Sequence, residues 1–368
     1  MKGLEKRLRM ENVDALLHVG DSIHDANMFY LTNFLAPDPF VYLKRDGAEF
    51  IIVSQMEFGR AKKESKIRDV RSAAEYGMPE LLKRYEDSQK ARSELLKEVL
   101  NKEGVKRIAV PRNFPFFIAS ELHDFEIVPV RLLEELREVK NRAEIKSIKR
   151  AQRACEHAMR VAMDAIQRAK IDKDVLSLTA EGVKYIIEHT LIEQGCGAED
   201  IIVASGRQSS DPHCSGSGAL KINAPIIIDI FPYLKKERYH ADMTRTVLRG
   251  NPTNETEEMY QAVLDAQNIA LSKIRAGVTG KDVHGAVCDL FQERGYEFIH
   301  STGHGVGLEV HEAPSLAEGG GELKVGNVIT VEPGLYDPKL GGVRLEDLVL
   351  VTANGCKNLT RFPKQLVI

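Results

Sequence analysis

Four acids stand where apolar runs end or resume. Asp229 closes "PIIID", Asp242 opens "ADMTRTV", Glu332 closes "VITVE", and Glu346 follows "GGVRL". A carboxylate buried without partners is costly, so any one of these reads most simply as a strand-edge residue facing water. The pattern argues otherwise for the set. "IIIDIFPYLKKERYHADMTRTVL" and "VITVEPGLYDPKLGGVRLEDLVLV" are built alike: an apolar run ends in an acid, a polar turn follows, and a strand resumes beside a second acid. The acids within each unit are 13 and 14 residues apart, and the units lie 103 or 104 residues apart. Two hairpins of a duplicated half-domain would bring Asp229 towards Asp242 and Glu332 towards Glu346. Packed together, the hairpins crowd four negative charges that two divalent cations would neutralise. Oxygen-rich ligation with one imidazole suits Mn, Co, Fe or Zn, and no thiolate in these segments favours a softer metal. His304 is the natural nitrogen ligand.

His304 belongs to "STGHGVGLEVHEAP" (301–314), where a second histidine, His311, follows seven residues on. Gly303, Gly305 and Gly307 would each cost roughly 1 kcal/mol inside a helix, which favours extended chain approached closely by something. On one continuous strand the glycines share a face with His311, and His304 projects from the other. This reading predicts separate tasks for the two rings and a bare face on the strand.

Other chemistries fit less well. "HEAPS" lacks the second histidine of a zinc-protease H-E-x-x-H helix, and the chain has neither a Walker A sequence nor a G-x-S-x-G elbow. A serine nucleophile in "ASGRQSSDPH" (204–213) is a weak reading, because Ser/Gly-rich turns are common. His18, His24, His123, His157, His189, His240, His284 and His300 read as isolated polar residues.

The elements that must position these residues fall into two parts. A chain of 368 residues suggests two domains. Hydrophobic content of 43% and charged content of 29% are those of a globular protein, and a net charge of −3 points to neither nucleic acid nor an anionic membrane. No apolar run reaches the ~18 residues of a membrane span, and "MKGLEKRLRMENVDALL" holds no signal-peptide stretch. Five scattered cysteines without a C-x-x-C pair suit a reducing, cytoplasmic setting. Residues 1–132 alternate strand-like and helix-like segments, with a hairpin at Asp46-Gly47 in 40–53, and predict a small α/β domain. From Leu132 a long charged helical stretch predicts a continuous linking helix. The remainder of 133–368 mixes helices near 176–194, 255–275 and 280–294 with strands near 200–204, 225–231, 241–248, 327–332 and 343–351. That order predicts an α+β domain with antiparallel hairpins.

With "D-P-H", "I-D-I…A-D-M-T-R-T", "G-H-G-V-G-L-E-V-H-E", "V-E-P-G-L-Y" and "G-G-V-R-L-E-D" in order, the chain resembles the Xaa-Pro peptidase family of metallopeptidases, which includes prolidase and aminopeptidase P. The resemblance spans nearly the whole chain. It implies an α+β pita-bread catalytic domain with a duplicated half-domain, preceded by a smaller creatinase-like α/β domain. It also implies two divalent metal ions (Mn, Co, Zn or Fe): Asp229 chelating the first, Asp242 and Glu346 bridging, His304 and Glu332 holding the second. By the same resemblance Glu332 is the proton acceptor, His311 lies at the substrate carbonyl and His213 beside the substrate. Arg344 would orient a ligand carboxylate or contact substrate.

The implied reaction is hydrolysis of the bond between an N-terminal residue and proline, on a peptide or dipeptide with proline second, by a homodimer with no nucleic-acid or membrane partner. Prolidase-like members often hold a dipeptide's C-terminal carboxylate with an arginine between the H-E motif and the E-P-G strand; residues 305–331 contain none. An Xaa-Pro aminopeptidase acting on longer peptides is therefore the alternative. A metal-free creatinase-like reaction or an inactive binding member of the fold would not need five intact ligands.

Overall fold

In a computed structural model describing residues 2–368, the chain divides into Met1–Arg137 and Glu138–Ile368. The division falls later than the position after residue 132 expected from sequence, because Leu132 and Leu133 are buried in the first unit's core.

The first unit is a six-stranded mixed sheet in the order Asp69–Ser72, Ala48–Val53, Phe40–Arg45, Ala15–Gly20, Arg107–Pro111, Glu126–Val130. Alternation along the strands sends Leu16, Tyr42 and Ile51 to one core and Leu17, Leu43 and Ile52 to the other. Helices on both faces supply the partners, as a sheet buried on two sides requires. The hairpin turns at Asp46 and Gly47, both with positive φ, the conformation that Asp-Gly turns supply.

The long helix expected from Leu132 is two helices, Leu132–Glu138 and Arg142–Arg168. Asn141 explains the break. Its side chain accepts from Ala143 N–H and Glu144 N–H while Glu144 reaches back to Asn141 N–H, a full capping box.

The second unit is built twice over. In its first half the strands Ile202–Ser205, Ile226–Ile230 and Met243–Val247 form an antiparallel sheet over the helices Arg142–Arg168 and Ala180–Glu193. In the second, Gly303–Gly305, Val328–Val331 and Asp347–Val351 repeat the arrangement over Asn254–Lys273 and Gly280–Glu293, with Glu312–Leu316 and Cys356–Asn358 at the sheet's edges. Register places Asp229 opposite Thr244 in one hairpin and Val331 opposite Asp347 in the other. Asp242, Glu332 and Glu346 therefore sit just beyond the strand ends, where a side chain can leave the ladder without abandoning its backbone bonds.

The segment 301–314 is not one strand. It pairs at Gly303–Gly305, leaves the sheet, and re-enters at Glu312, so period-two alternation does not carry from His304 to His311. The glycines do not clear a face either. A Cβ on Gly303 would lie 2.1 Å from Thr330 O, one on Gly305 2.3 Å from Ala313 O, and one on Gly307 2.0 Å from Glu312 Oε1. They admit neighbouring backbone and the Glu312 carboxylate. Among the described residues no helix is long and apolar enough to cross a membrane.

Candidate active site

A cavity of about 750 Å³ opens where the two halves of the second unit meet. Asp229, Asp242, His304, Glu332, Glu346, His213, His311 and Arg344 all line it, so eight residues chosen from five separate motifs converge on one space. The His304 and His311 rings, expected on opposite faces, lie 4.1 Å apart between centroids. The excursion of the chain between Gly305 and Glu312 folds the second ring back beside the first.

The carboxylates come from both halves. Asp242 and Glu346 are buried at 4% and 2% exposure. Thr244 Oγ1 donates to Glu346 Oε2 at 2.8 Å. His304 Nε2 lies 3.1 Å from Glu332 Oε1 and 3.8 Å from Asp242 Oδ2. Thr330 locks this part of the site, accepting from His304 N–H at 2.9 Å and donating to Glu332 Oε1 at 3.1 Å. Burial and the neighbouring Glu346 and Asp229 push the Asp242 carboxyl well above its ordinary range, and burial with Glu332 and Asp229 does the same to Glu346. Burial would raise Glu332 as well, but the hydrogen bond and charge of His304 outweigh it and hold Glu332 at about 2. His304 is the complement: its desolvation is overcome by Glu332 and Glu346, which raise it to about 9.

These residues fit a cation. Asp242, His304 and Glu346 offer one donor atom each within 4.8 Å of one another. Asp229 Oδ1 is buried with no hydrogen-bond partner among the described residues, an expensive condition for a carboxylate oxygen that a cation would relieve. The donor set of oxygens and one imidazole suits a borderline or hard divalent ion.

Comparisons with known proteins agree with this geometry. Residues 146–353 match the Metallopeptidase family M24, and residues 1–153 match the Creatinase/Prolidase N-terminal domain. The chain belongs to metallopeptidase family M24. It is 34% identical over 346 residues to an Xaa-Pro dipeptidase of Pyrococcus furiosus, covering 93% of this chain and 92% of that one. A solved prolidase from Pyrococcus horikoshii OT3 superposes with a TM-score of 0.83 at 29% identity, over 99% of each chain. An X-Pro aminopeptidase from Thermotoga maritima MSB8 superposes with a TM-score of 0.81 at 29% identity, over 97% of this chain and 98% of that one. The chain is a metallo-exopeptidase of this family, with the α+β pita-bread domain following a creatinase-type N-terminal domain.

Several lining residues carried no signal when the sequence was read one histidine at a time. His300, set aside as an isolated polar residue, lines the cavity with its Nε2 3.1 Å from Tyr336 Oη. Tyr336 in turn accepts from Arg344 Nη1 at 2.9 Å. Burial lowers the His300 pKa, which keeps the ring neutral beside the guanidinium. Tyr336 was visible as the tyrosine of "V-E-P-G-L-Y", four residues after Glu332; the tight pairing of Gly334–Asp337 with Gly341–Arg344 turns it back to the site. Arg344 is committed inside the protein. Its Nη2 donates to Asp229 Oδ2 at 2.8 Å and its Nη1 to Pro212 O at 3.3 Å. His213 and His311 are the exposed members, and desolvation with the nearby His304 lowers the His311 pKa.

Proposed function

We propose that this chain hydrolyses the bond between an N-terminal residue and a following proline, acting on Xaa-Pro dipeptides through a two-metal site. The observation that carries this reading is the convergence of Asp229, Asp242, His304, Glu332 and Glu346 on one cavity, in a chain whose relatives of near-equal length are named Xaa-Pro dipeptidase and prolidase.

Asp229, Asp242, His304, Glu332 and Glu346 would together hold the metal pair, with Asp242 and Glu346 shared between its two sides. Two divalent ions, Mn, Co, Zn or Fe, supply an acidified water and a polarised scissile carbonyl when bound. Glu332 would accept a proton from the attacking water and pass it to the leaving nitrogen. Proline makes this transfer necessary, because its amide nitrogen carries no proton and leaves as a secondary amine. His311 donates a hydrogen bond to the oxygen that gains charge as the carbonyl becomes tetrahedral, and its lowered pKa leaves one ring N–H for that purpose at neutral pH. His213 supports the substrate from the exposed side. Arg344 acts through Asp229 and Tyr336, which favours the first of its two expected roles, orienting a ligand carboxylate, over direct substrate contact.

A second reading, an Xaa-Pro aminopeptidase on longer peptides, has its own support. Residues 305–331 contain one lysine and no arginine, and Lys324 Nζ already donates to Glu138 Oε2 at 2.9 Å. Within the cavity Arg344 is paired with Asp229. No fixed guanidinium or ammonium among the described lining residues thus awaits a dipeptide's terminal carboxylate. The five free cysteines suit a reducing compartment such as the cytoplasm.

The test compares Xaa-Pro, Xaa-Pro-Yaa and Xaa-Ala peptides with chelator-treated protein resupplied with Mn, Co, Zn or Fe. Cleavage of Xaa-Pro that requires added metal supports the proposal. Full activity after metal removal, or cleavage of Xaa-Ala alone, overturns it.

A further inference from the structure

One side chain outside the cavity reaches both glutamates of the second hairpin. Gln267, on the helix Asn254–Lys273, is fully buried. Its Nε2 donates to Val331 O at 2.8 Å and to Leu345 O at 3.0 Å. These carbonyls belong to the peptide groups immediately before Glu332 and Glu346. The far ends of the same two groups are held as well: Glu332 N–H donates to Thr302 O at 2.8 Å, and Glu346 N–H to Thr244 O at 3.1 Å. Each peptide plane that carries a site glutamate is thereby pinned at its nitrogen by a neighbouring backbone carbonyl and at its oxygen by one shared amide.

Asp229 of the first hairpin shows the contrast. Asp229 lies inside its ladder, opposite Ile202 on one side and Thr244 on the other. Glu332 and Glu346 fall in the gap between two ladders, after Val331–Asp347 and before Gly334–Arg344, so neither is itself held in a cross-strand pair. Two carbonyl partners also settle the amide's orientation, since only its nitrogen can serve both. Gln267 Oε1 is left with no partner among the described residues. A buried acceptor kept unsatisfied calls for a reason, and the two bonds made by the nitrogen provide one.

We propose that Gln267 is a positioning residue that sets the spacing and tilt of Glu332 and Glu346, and through them the affinity of the site for divalent metal. The inference rests on the assignment of both glutamates as metal ligands made above.

The test uses full-length protein stripped with a chelator and titrated with Co²⁺, followed by its visible absorption and by competition with a chromophoric chelator. Gln267→Met keeps the length and bulk of the arm and removes both donors. Gln267→Asn keeps the amide but shortens the arm by one methylene, and it decides the matter should the Met variant fail to fold. The expected result is a 10–100-fold loss of Co²⁺ affinity, the range typical of partners that orient metal ligands. An altered absorption band and a fall in kcat larger than the change in KM accompany it. A variant that loses thermal stability yet keeps the wild-type affinity and band overturns the proposal and leaves Gln267 a packing residue. Glu346→Gln is the control: a wild-type Co²⁺ isotherm in that variant overturns the ligand assignment itself, which separates the two failures.

Discussion

Arg344 Nη2 lies 2.8 Å from Asp229 Oδ2, and the two side chains are 5% and 12% exposed. The guanidinium spends its remaining donors on Tyr336 Oη, Pro212 O and Thr244 Oγ1, so it joins both hairpins and the 206–213 loop. Replacing it by methionine leaves Asp229 buried without its counter-charge. Removing one partner of a buried pair typically costs about 3–5 kcal/mol, and loss of a group that orients a metal ligand costs about 10–100-fold in activity. Arg344→Met is expected to show both, by thermal melting and by kcat. Arg344→Lys keeps the charge but not the planar fork, and should recover stability before activity. Full activity in either variant contradicts this account.

Metal removal should make stability depend on pH with a definite sign. Glu332 falls from 4.5 to about 2 on folding, so its contribution is present above pH 4.5 and is lost as pH falls towards 2. His304 rises from 6.5 to about 9, so its contribution is complete below pH 6.5 and is lost as pH rises through 9. Asp242 and Glu346, raised by burial and by the surrounding carboxylates, also oppose folding as pH increases. Chelator-treated protein should therefore be most stable near pH 4.5 and melt progressively earlier towards pH 8–9. Added divalent cation should restore the most stability at the alkaline end. A melting temperature that is flat or rising from pH 6 to 9 without metal would sink this account.

Lys140 Nζ sits 2.6 Å from Glu312 Oε1, with side-chain exposures of 1% and 7%. Glu312 adjoins His311 and fills the space that Gly307 leaves open. Lys140→Met should destabilise the protein by about 3–5 kcal/mol and slow turnover by freeing the His311 turn. Adding Glu312→Leu should return much of the stability, since apolar replacement of a whole buried pair is often neutral. Activity should stay low in the double variant. A fully stable single variant by denaturant titration would show that the pair contributes little.

How much of this was legible beforehand depended on where the information lies. The cavity's acids were found because each stands where an apolar run ends or resumes and the two hairpins echo one another at nearly equal spacing. Most strand ends were placed within a few residues because buried antiparallel strands keep their apolar pattern, but the strand expected over 343–351 is broken at Leu345 and Glu346 into Gly341–Arg344 and Asp347–Val351. The place of His300 was not legible, nor which ligand carboxylate Arg344 would hold, because both depend on which strand ends meet across the cavity. The 301–314 stretch misled for a physical reason. Alternating glycines imitate the period of a strand, yet here they permit close backbone approach on either side of a loop. The break before Arg142 was present as the Asn141…Glu144 capping pair, but the charged helical pattern ran across it.

Asn141→Ala tests that break directly. The residue accepts from Ala143 N–H at 2.8 Å and Glu144 N–H at 3.1 Å, and capping substitutions of this kind cost about 0.5–2 kcal/mol. The variant should melt earlier with unchanged KM, because the helix starts far from the cavity in sequence and lends no side chain to its lining. An unchanged melting curve would mean that water replaces the cap without cost.

The last prediction concerns substrate length. Ser315 lines the cavity from the strand opposite His304 and is exposed, so a longer side chain there meets solvent and substrate before it meets the core. The cavity's own arginine is held by Asp229, which leaves a dipeptide's C-terminal carboxylate without a fixed positive partner among the described lining residues. Ser315→Arg should supply one. A charge-assisted bond to a carboxylate in a partly desolvated site is worth about 1.5–3 kcal/mol, so kcat/KM for Xaa-Pro relative to Xaa-Pro-Yaa should rise about tenfold or more. The amide of the same dipeptide, which has no terminal charge, should gain nothing. Equal gains for the acid and the amide would mean that the arginine acts through packing. No gain for either would mean that the dipeptide carboxylate already has its partner elsewhere, and would favour the dipeptidase reading in its strict form.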